Sequence, residues 1–409
     1  MNTYDVIVVG AGPAGARTAR DLAAAGLDTA LLEEHAEVGR PCHCSGLVSA
    51  RTLTTADVGR DLVLNSVSGA TVRLPAMEAL QLDSGKPHAF VIDRVALDRA
   101  LSGQAVASGA HLQLSSRFVS FTRGGTNTRG KGFVEVAVRQ GDGEIESLRA
   151  SLLIGADGAR SRVAAQITDG GQKGMVRALG GTAAYTGHSS SHRVEVFFDR
   201  QAAPGWFAWT IPLDSKTARI GIGSANGLRP VDCFQHMARR FPETFGSAVL
   251  TERTAGVIPL WAPGPMVDDR VMLVGDAARQ AKPASGGGIL TALKSAGIAA
   301  GSAISAMEKG DLSATGLSGY ARAWNRTVGR ELQRQHDMRR IFDLMDLQDL
   351  QRLISSLGRR RLKSKVEARG DIDFASRMAW AFLRHPLLLV KYGRIPRFPM
   401  AWLSRGAGF

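Results

Sequence analysis

The chain opens on an apolar run, Tyr4-Asp5-Val6-Ile7-Val8-Val9, that breaks at Gly10 and resumes at helical spacing, which predicts a strand, a turn and a helix. A second short run, Thr29-Ala30-Leu31-Leu32, predicts a neighbouring strand that ends in Glu33. Alternating segments at 71–74 and 80–83 predict half-buried strands. Phe90-Val91-Ile92 leads into Asp93 and then into apolar positions at helical spacing as far as Leu101, a strand-to-helix junction with an aspartate cap. Segments 133–138 and 145–148 flank Gly141-Asp142-Gly143, a hairpin signal, and Leu152-Leu153-Ile154 predicts a buried parallel strand ending at Gly155. Strand-like segments at 194–198, 206–211 and 218–222 predict a separate sheet. Arg270-Val271-Met272-Leu273-Val274 predicts one more buried strand, and a long helix of small residues starts at Ile289. Farther on, Tyr320, Trp324, Val328 and Leu332 mark one helical face.

With 409 residues and 44% hydrophobic content, the chain is long enough for two or three domains, or one interlocked unit, around a sizeable core. Lys294 and Glu308 punctuate the longest apolar stretch and Arg384 and Lys391 bracket another, so no membrane span is predicted. The N-terminus enters its first strand without a basic leader or cleavable apolar region, which predicts a cytoplasmic protein. Cys42 and Cys44 are too close in sequence for an unstrained disulfide and Cys233 has no evident mate, in keeping with a reducing compartment. Cys42-His43-Cys44 lacks further ligands at structural-zinc spacing, and no metal is expected.

The net charge of +14 is concentrated at one end, since residues 352–409 hold 13 Lys/Arg against 3 Asp/Glu, an excess of +10. Basic residues there alternate with Phe374, Met378, Trp380, Phe382, Tyr392 and Trp402, while Pro386, Pro396 and Pro399 prevent one continuous helix. The stretch reads either as a basic helical cap or as a peripheral contact with an anionic membrane. No nucleic-acid module accompanies the charge, so nucleic acid is not an expected partner.

Chemistry is concentrated in the glycine-rich turns. Gly10-Ala11-Gly12-Pro13-Ala14-Gly15 is a G-x-G-x-x-G turn between a strand and a helix. Gly10 permits the sharp turn, Gly12 lets backbone approach a pyrophosphate, and Gly15 lets helix and strand pack closely. Glu33, roughly 20 residues on, is placed to accept ribose hydroxyls of a dinucleotide. Asp276 ends a buried strand at a helix start, where a carboxylate accepts hydroxyls, and Gly286-Gly287-Gly288 exposes backbone N–H groups at the next helix. The small and polar stretch 35–49 reads as a functional loop.

Taken together, the opening loop with Glu33, Asp93-Arg94, Ala156-Asp157-Gly158 and Gly275-Asp276-Ala277-Ala278 resemble the FAD-binding signatures of the aromatic-hydroxylase-like flavoprotein superfamily. Within it, the loop 41–49, the turn 283–288 and the segment 204–223 resemble the geranylgeranyl reductase family. The resemblance implies an α/β fold: an FAD-binding Rossmann-like domain of the aromatic-hydroxylase type, an interleaved antiparallel substrate sheet and a helical C-terminal region. The implied boundaries are 1–65, 88–175 and 255–345 for the FAD domain, 66–87 and 176–254 for the sheet, and 346–409 for the basic helical end. FAD is the implied cofactor, contacted by Gly10, Gly12, Ala14, Gly15, Glu33, Glu34, Arg40, Pro41, Cys44, Ser45, Leu47, Arg94, Val119, Asp157, Gly158, Asp276, Pro283, Gly286, Gly287, Gly288 and Ile289. Arg279 stands where the family often has glycine and adds positive charge near the ring.

Pro204-Gly205-Trp206-Phe207-Ala208-Trp209-Thr210-Ile211-Pro212, followed by Gly221-Ile222-Gly223, is similar to the prenyl reductase pattern Y-x-W-x-F-P…G-x-G. Phe207 replaces the tyrosine and Ile211 the phenylalanine, so a hydroxyl is lost and an apolar wall is kept. Phe207, Trp209, Pro212, Gly221 and Gly223 are the implied substrate contacts, with ordinary sheet packing of Trp206 and Trp209 as the alternative. The implied reaction is reduction of C=C bonds of a polyprenyl chain on an isoprenoid lipid or quinone by hydride transfer from flavin N5. An isolated alkene accepts hydride poorly unless its other carbon is protonated, which makes Cys44, and after it His43, candidate donors. The chain carries no second G-x-G-x-x-G between strand and helix, leaving NAD(P)H or a small redox protein as electron donor. The segment also approaches the W-x-W-x-I-P pattern of flavin halogenases, so a monooxygenase or halogenase is the alternative, with Lys86 as its lysine; Lys86 otherwise reads as an exposed loop residue.

Overall fold

A computed structural model of the chain describes residues 2–126, 132–168, 174–184, 190–225, 227–246 and 248–378. The aromatic and basic positions from Trp380 onward therefore lie outside the described residues.

The first strand, Thr3–Val9, is the centre of an eight-stranded sheet. It pairs in parallel with Thr29–Leu32 on one side and with the end of Ile145–Gly155 on the other. His111–Gln113 and Val271–Leu273 extend the parallel set outward. Residues 6–9 are buried on both faces, as a strand sandwiched between layers must be. The two runs expected at 145–148 and 151–155 form one continuous strand. Its first half pairs antiparallel with Gly132–Arg139 and its second half parallel with Thr3–Val9, so one strand joins the hairpin to the parallel sheet.

The helices Pro13–Ala24, Arg94–Ala107 and Ile289–Lys309 pack together in the largest core cluster. Ala296, Ala299, Ala300 and Ala303 are buried at intervals of three and four, and such small residues let a helix come close to its neighbour. Ile289–Lys309 is long and apolar enough to cross a membrane by length and composition, yet its buried stripe is committed to this core. The stripe at Tyr320, Trp324 and Leu332 is likewise buried, and the helices carrying it are joined by a π-turn at Asn325–Gly329.

A seven-stranded sheet runs in the order Thr251–Pro259, Met175–Ala184, Thr217–Ser224, Ala208–Pro212, Arg193–Phe197, Gly69–Arg73, Leu80–Asp83. Pairing is antiparallel except between Arg193–Phe197 and Gly69–Arg73, which run parallel. The helix Pro230–Arg240 covers one face, where Cys233, Met237 and Phe245 pack with Phe197, Ile220 and Ile222. The opposite face carries Trp209 opposite Gly221, with Arg219 and Gly223 on the same side of their strand. A three-stranded sheet of Leu47–Val48, Ala89–Ile92 and Val63–Val67 completes the β-structure.

Asp93 caps the helix Arg94–Ala107 by accepting from Ala96 N at 3.0 Å, as the aspartate pattern predicts. Leu347–Leu357 packs with Leu74, Leu80 and Ile341, so the described start of the C-terminal region rests on the hairpin formed by 69–83.

Candidate active site

The glycine loop is built on backbone contacts that admit no side chain. A Cβ on Gly10, which has φ +99, would lie 2.6 Å from Ala156 O, and a Cβ on Gly15 would lie 1.8 Å from Gly10 O. Either would force strand, loop and helix apart. The position of a Cβ on Gly12, by contrast, faces nothing within 4 Å, the open approach a diphosphate needs. Ala14 is buried where a Cβ on Gly275 would be 2.7 Å away, which brings the Gly275-Asp276 turn to the same helix start.

Glu33 lies beside this loop. Its Oε2 accepts from Ala11 N at 2.9 Å and its Oε1 from His35 N at 3.1 Å. The carboxylate is thereby aimed at the loop, in position to accept ribose hydroxyls.

Arg94 and Asp276 interact electrostatically. The Arg94 guanidinium donates to both Asp98 carboxylate oxygens at 2.8 Å, while its buried Nε has no partner. A buried donor without an acceptor marks a place where a ligand atom is expected. Burial pushes the Asp276 carboxyl up to about 6, with the Arg94 charge opposing the shift. A Cβ on Gly288 would approach Asp276 Oδ1 to 3.1 Å, so the carboxylate lies against the glycine turn. That turn is closed by Gly286 N donating to Lys282 O at 2.8 Å, and Gly288 begins Ile289–Lys309 with no side-chain cap, leaving first-turn N–H groups available. The open loop, the outward-facing acid, the orphaned guanidinium nitrogen and the uncapped helix fit an extended dinucleotide bearing a polyol linker.

The cysteine loop crosses the same region. Cys44 Sγ accepts from Gly46 N at 3.4 Å, and both Cys44 and Cys42 interact electrostatically with Arg94. Arg219, reaching from the second sheet, donates through Nη1 to Ser45 O at 2.8 Å and to Ile92 O at 3.0 Å. Gly46 is buried under it, and a Cβ there would meet Arg219 Nη1 at 2.3 Å. His43 is exposed, with Gly256 of the second sheet beside its Cβ. Partial desolvation, then the charges of His35 and Arg160, lower its pKa.

The aromatic segment forms the other wall. A Cβ on Gly221 would strike Trp209 Cζ2 at 2.3 Å and one on Gly223 would strike Trp206 Cδ1 at 2.2 Å, so each indole fills the space a side chain on that glycine would take. Trp206 stacks on Phe207 with ring centroids 4.8 Å apart, and Phe207 meets Trp209 edge-on at 6.0 Å. The far edge of Trp206 would be 3.2 Å from a Cβ on Gly286. The aromatic wall therefore touches the glycine turn itself.

Several expected cofactor contacts have other partners. Glu34 pairs with Arg117 at 3.1 Å and Arg40 with Glu37 at 3.7 Å, all largely exposed, and Pro41 is exposed as well. Asp157 uses its carboxylate on the following helix, accepting from Ser161 Oγ, Arg162 N and Val163 N; Gly158 turns there with φ +75. Val119 is the extra residue of a β-bulge, because Phe118 pairs with Val138 and Ser120 with Ala137. Leu47 and Ile289 are half-buried, and Pro212 is buried at the end of its strand. Lys86 is exposed in the turn after Leu80–Asp83. Arg219 was missing from the sequence reading, although its alternation with Gly221 and Gly223 puts it on their face.

The Asp276 value lies above the ordinary carboxylate range, so the apoprotein binds more protons than the unfolded chain between about pH 4 and 6, and the ionised carboxylate opposes folding above that window. Asp276→Asn is expected to raise the melting temperature of the apoprotein at about pH 7.5 and to flatten its stability profile between about pH 4 and 6. Calorimetry across that range checks this, and a variant no more stable than its parent at the higher pH contradicts it.

The FAD binding domain family matches residues 3–335. Digeranylgeranylglycerophospholipid reductase of Methanothrix thermoacetophila is 31% identical over 394 residues, which cover 93% of this chain and 98% of that protein. The enzyme of the same name from Methanospirillum hungatei is 30% identical over 406 residues, 96% of each chain. Among solved structures, a geranylgeranyl bacteriochlorophyll reductase-like protein from Thermoplasma acidophilum has a TM-score of 0.83 at 24% identity, over 96% of this chain and 99% of that one. A myxobacterial chondrochloren halogenase has a TM-score of 0.65 at 18% identity, over 81% and 82% of the two chains, and shares the fold. A family match across most of the chain, together with relatives aligned nearly end to end, shows that the protein belongs to the FAD binding domain family and is a geranylgeranyl reductase-like, FAD-dependent oxidoreductase.

Proposed function

We propose that the protein saturates C=C bonds of a polyprenyl chain, of geranylgeranyl type, carried by a lipid or quinone. The observation that carries this reading is the contact between the aromatic wall and the glycine turn: Trp206 lies between Gly223 and Gly286, and Phe207 and Trp209 continue the wall away from the turn. A wall of hydrocarbon and aromatic carbon beside a redox cofactor suits a substrate held by its apolar chain. The names of the relatives support a phospholipid as carrier.

FAD held by the glycine loop, Glu33 and the Gly286-Gly287-Gly288 turn would, when reduced, contribute hydride-transfer chemistry toward one alkene carbon. The chain has to supply a proton to the other carbon, and we assign that role to Cys44. Arg94, beside it, interacts electrostatically with this cysteine. His43 is the second candidate; with its pKa lowered it is neutral near pH 7 and suited to relaying a proton rather than holding one. Trp209 and Phe207 exclude water and align the chain. Gly221 and Gly223 leave room for the indoles, and Arg219 bonds the cysteine loop from the same face. Electrons enter from NAD(P)H or a small redox protein.

Incubation of chemically reduced protein with prenyl lipids without oxygen, followed by mass spectrometry, is expected to show two added hydrogens per bond. Trp209→Ala is expected to keep the bound-FAD spectrum and to lose about 10-fold or more in rate. Products that form only in air and carry oxygen would instead assign a monooxygenase.

We also propose peripheral contact of the basic end with the cytoplasmic membrane face, supported by the exposed Arg359, Arg360 and Arg361 at the start of the helix Arg360–Arg369. Each basic residue near an anionic surface contributes about 1 kcal/mol. The parent should sediment with anionic liposomes at low salt and less at high salt, and changing the three arginines to Gln should weaken that binding. Failure of the parent to sediment with anionic liposomes at low salt would rule the contact out.

A further inference from the structure

Lys282 immediately precedes the glycine turn and is buried, which is unusual for an ammonium. Its side chain runs across the turn: a Cβ on Gly287 would lie 2.9 Å from Lys282 Cε and 3.2 Å from Nζ. The ammonium donates to Ile372 O and Asp373 Oδ1, each at 3.0 Å. Both acceptors belong to a short strap, residues 371–376, that follows the last described α-helix. The positive charge beside the turn is thus neutralised by a residue ninety-one positions away in sequence.

The strap is held at several points. Arg51 pairs with Asp371 and, at 3.3 Å, with Asp373. Asp373 N donates to Asp371 Oδ1 at 2.9 Å, and Gln335 Nε2 donates to Asp373 O at 3.3 Å. Ser376 N and Oγ both donate to the buried Glu331 carboxylate. Burial alone would raise the Asp373 pKa, but the Lys282 charge, hydrogen bonds from Ser49 and Lys282, and the Arg51 charge outweigh it and hold the carboxyl below its ordinary range. Ile372 packs on the apolar cluster of Val67, Val91 and Ile211 that also receives Trp209, so the strap borders the aromatic wall as well as the turn.

We propose that Lys282 is a positioning residue that joins the C-terminal strap to the glycine turn of the FAD site, and that Asp373 sets the charge presented to the cofactor by neutralising it. With the strap docked, Lys282, Arg51, Asp371 and Asp373 sum to no net charge. Without Lys282 the four groups carry one net negative charge and without Asp373 one net positive charge, and a charge near the flavin ring changes the stability of its reduced, more negative form. The two halves of the pair therefore act on the cofactor with opposite sign. This inference concerns FAD and the strap, and its outcome is independent of the identity of the lipid.

The test compares Lys282→Met, which keeps the side-chain stem, with Asp373→Asn, which is nearly isosteric. Spectroelectrochemical titration of the FAD-loaded proteins without substrate is expected to give a lower midpoint potential for Lys282→Met and a higher one for Asp373→Asn. A purely structural role predicts shifts of one sign or none, and either result overturns the proposal. Trypsin provides a second reading, with cleavage at Arg369 expected to be faster in both apoprotein variants than in the parent. Unchanged cleavage in both would show that the pair does not hold the strap. If Lys282→Met fails to fold, Asp373→Asn alone decides, since an unchanged or lowered potential contradicts the account.

Discussion

Everything at this site depends on two backbones being allowed to touch where Gly10 meets Ala156. The strand Thr3–Val9 and the end of Ile145–Gly155 run in register, and the turn after the first passes so close to the turn after the second that a methyl group at Gly10 would overlap a carbonyl oxygen. Gly15 repeats the constraint on the helix side, where a Cβ would penetrate Gly10 O. Because these contacts are purely backbone, the loop has one geometry, and Gly12 is left with open space in front of it. Ala14 against Gly275 transmits that geometry to the Asp276 turn, and Asp276 against Gly288 transmits it to the long helix. The nucleotide loop at 10–15 and, far along the chain, the buried acid Asp276 and the helix start at Ile289 become one surface through successive close approaches at glycine.

The second sheet joins this surface through Arg219 and Trp206, and through the chain that continues its Thr251–Pro259 strand, where Trp261 N donates to Ala281 O at 2.9 Å. Arg219 bonds the cysteine loop and the end of Ala89–Ile92. Trp206 lies against Gly286, and Arg339 stacks on Trp206 at 4.5 Å while donating to the carbonyls of Gly205 and Pro283. One guanidinium thus holds the aromatic segment and the glycine turn together from behind. Substrate orientation in such a site comes from shape, since indole faces offer planes rather than directional hydrogen bonds.

The parts legible in the sequence were those whose physics is local. A strand, a G-x-G-x-x-G turn and an acid at the end of the next strand are set by a few consecutive residues, and they appear as read. The aspartate cap at Asp93 and the small-residue helix from Ile289 are local in the same sense. What sequence could not supply was which polar side chain answers which distant group. Asp157 spends its carboxylate on a helix two residues past its own turn, whereas Asp276, also at the end of a buried strand, keeps its carboxylate facing the site. Glu34 and Arg40 lie next in sequence to the residues of the candidate site but find ion-pair partners at the surface. Lys282 looks like an ordinary loop lysine until the strap closes over it. The continuous strand Ile145–Gly155 was divided in the sequence reading because its two halves have different partners and hence different burial patterns.

The central claim is that one face of the seven-stranded sheet and the glycine turn of the FAD domain enclose a single chain-binding site. Photo-crosslinking tests it most directly, using an FAD-loaded protein, a prenyl phospholipid with a photoreactive group along its chain, and peptide mapping of the adducts. The account predicts label on Ala208–Pro212 and on Thr217–Ser224, diminished by competition with unlabelled prenyl lipid. Label confined to the outward helices Pro230–Arg240 or Arg360–Arg369, with none on the aromatic wall, would contradict it.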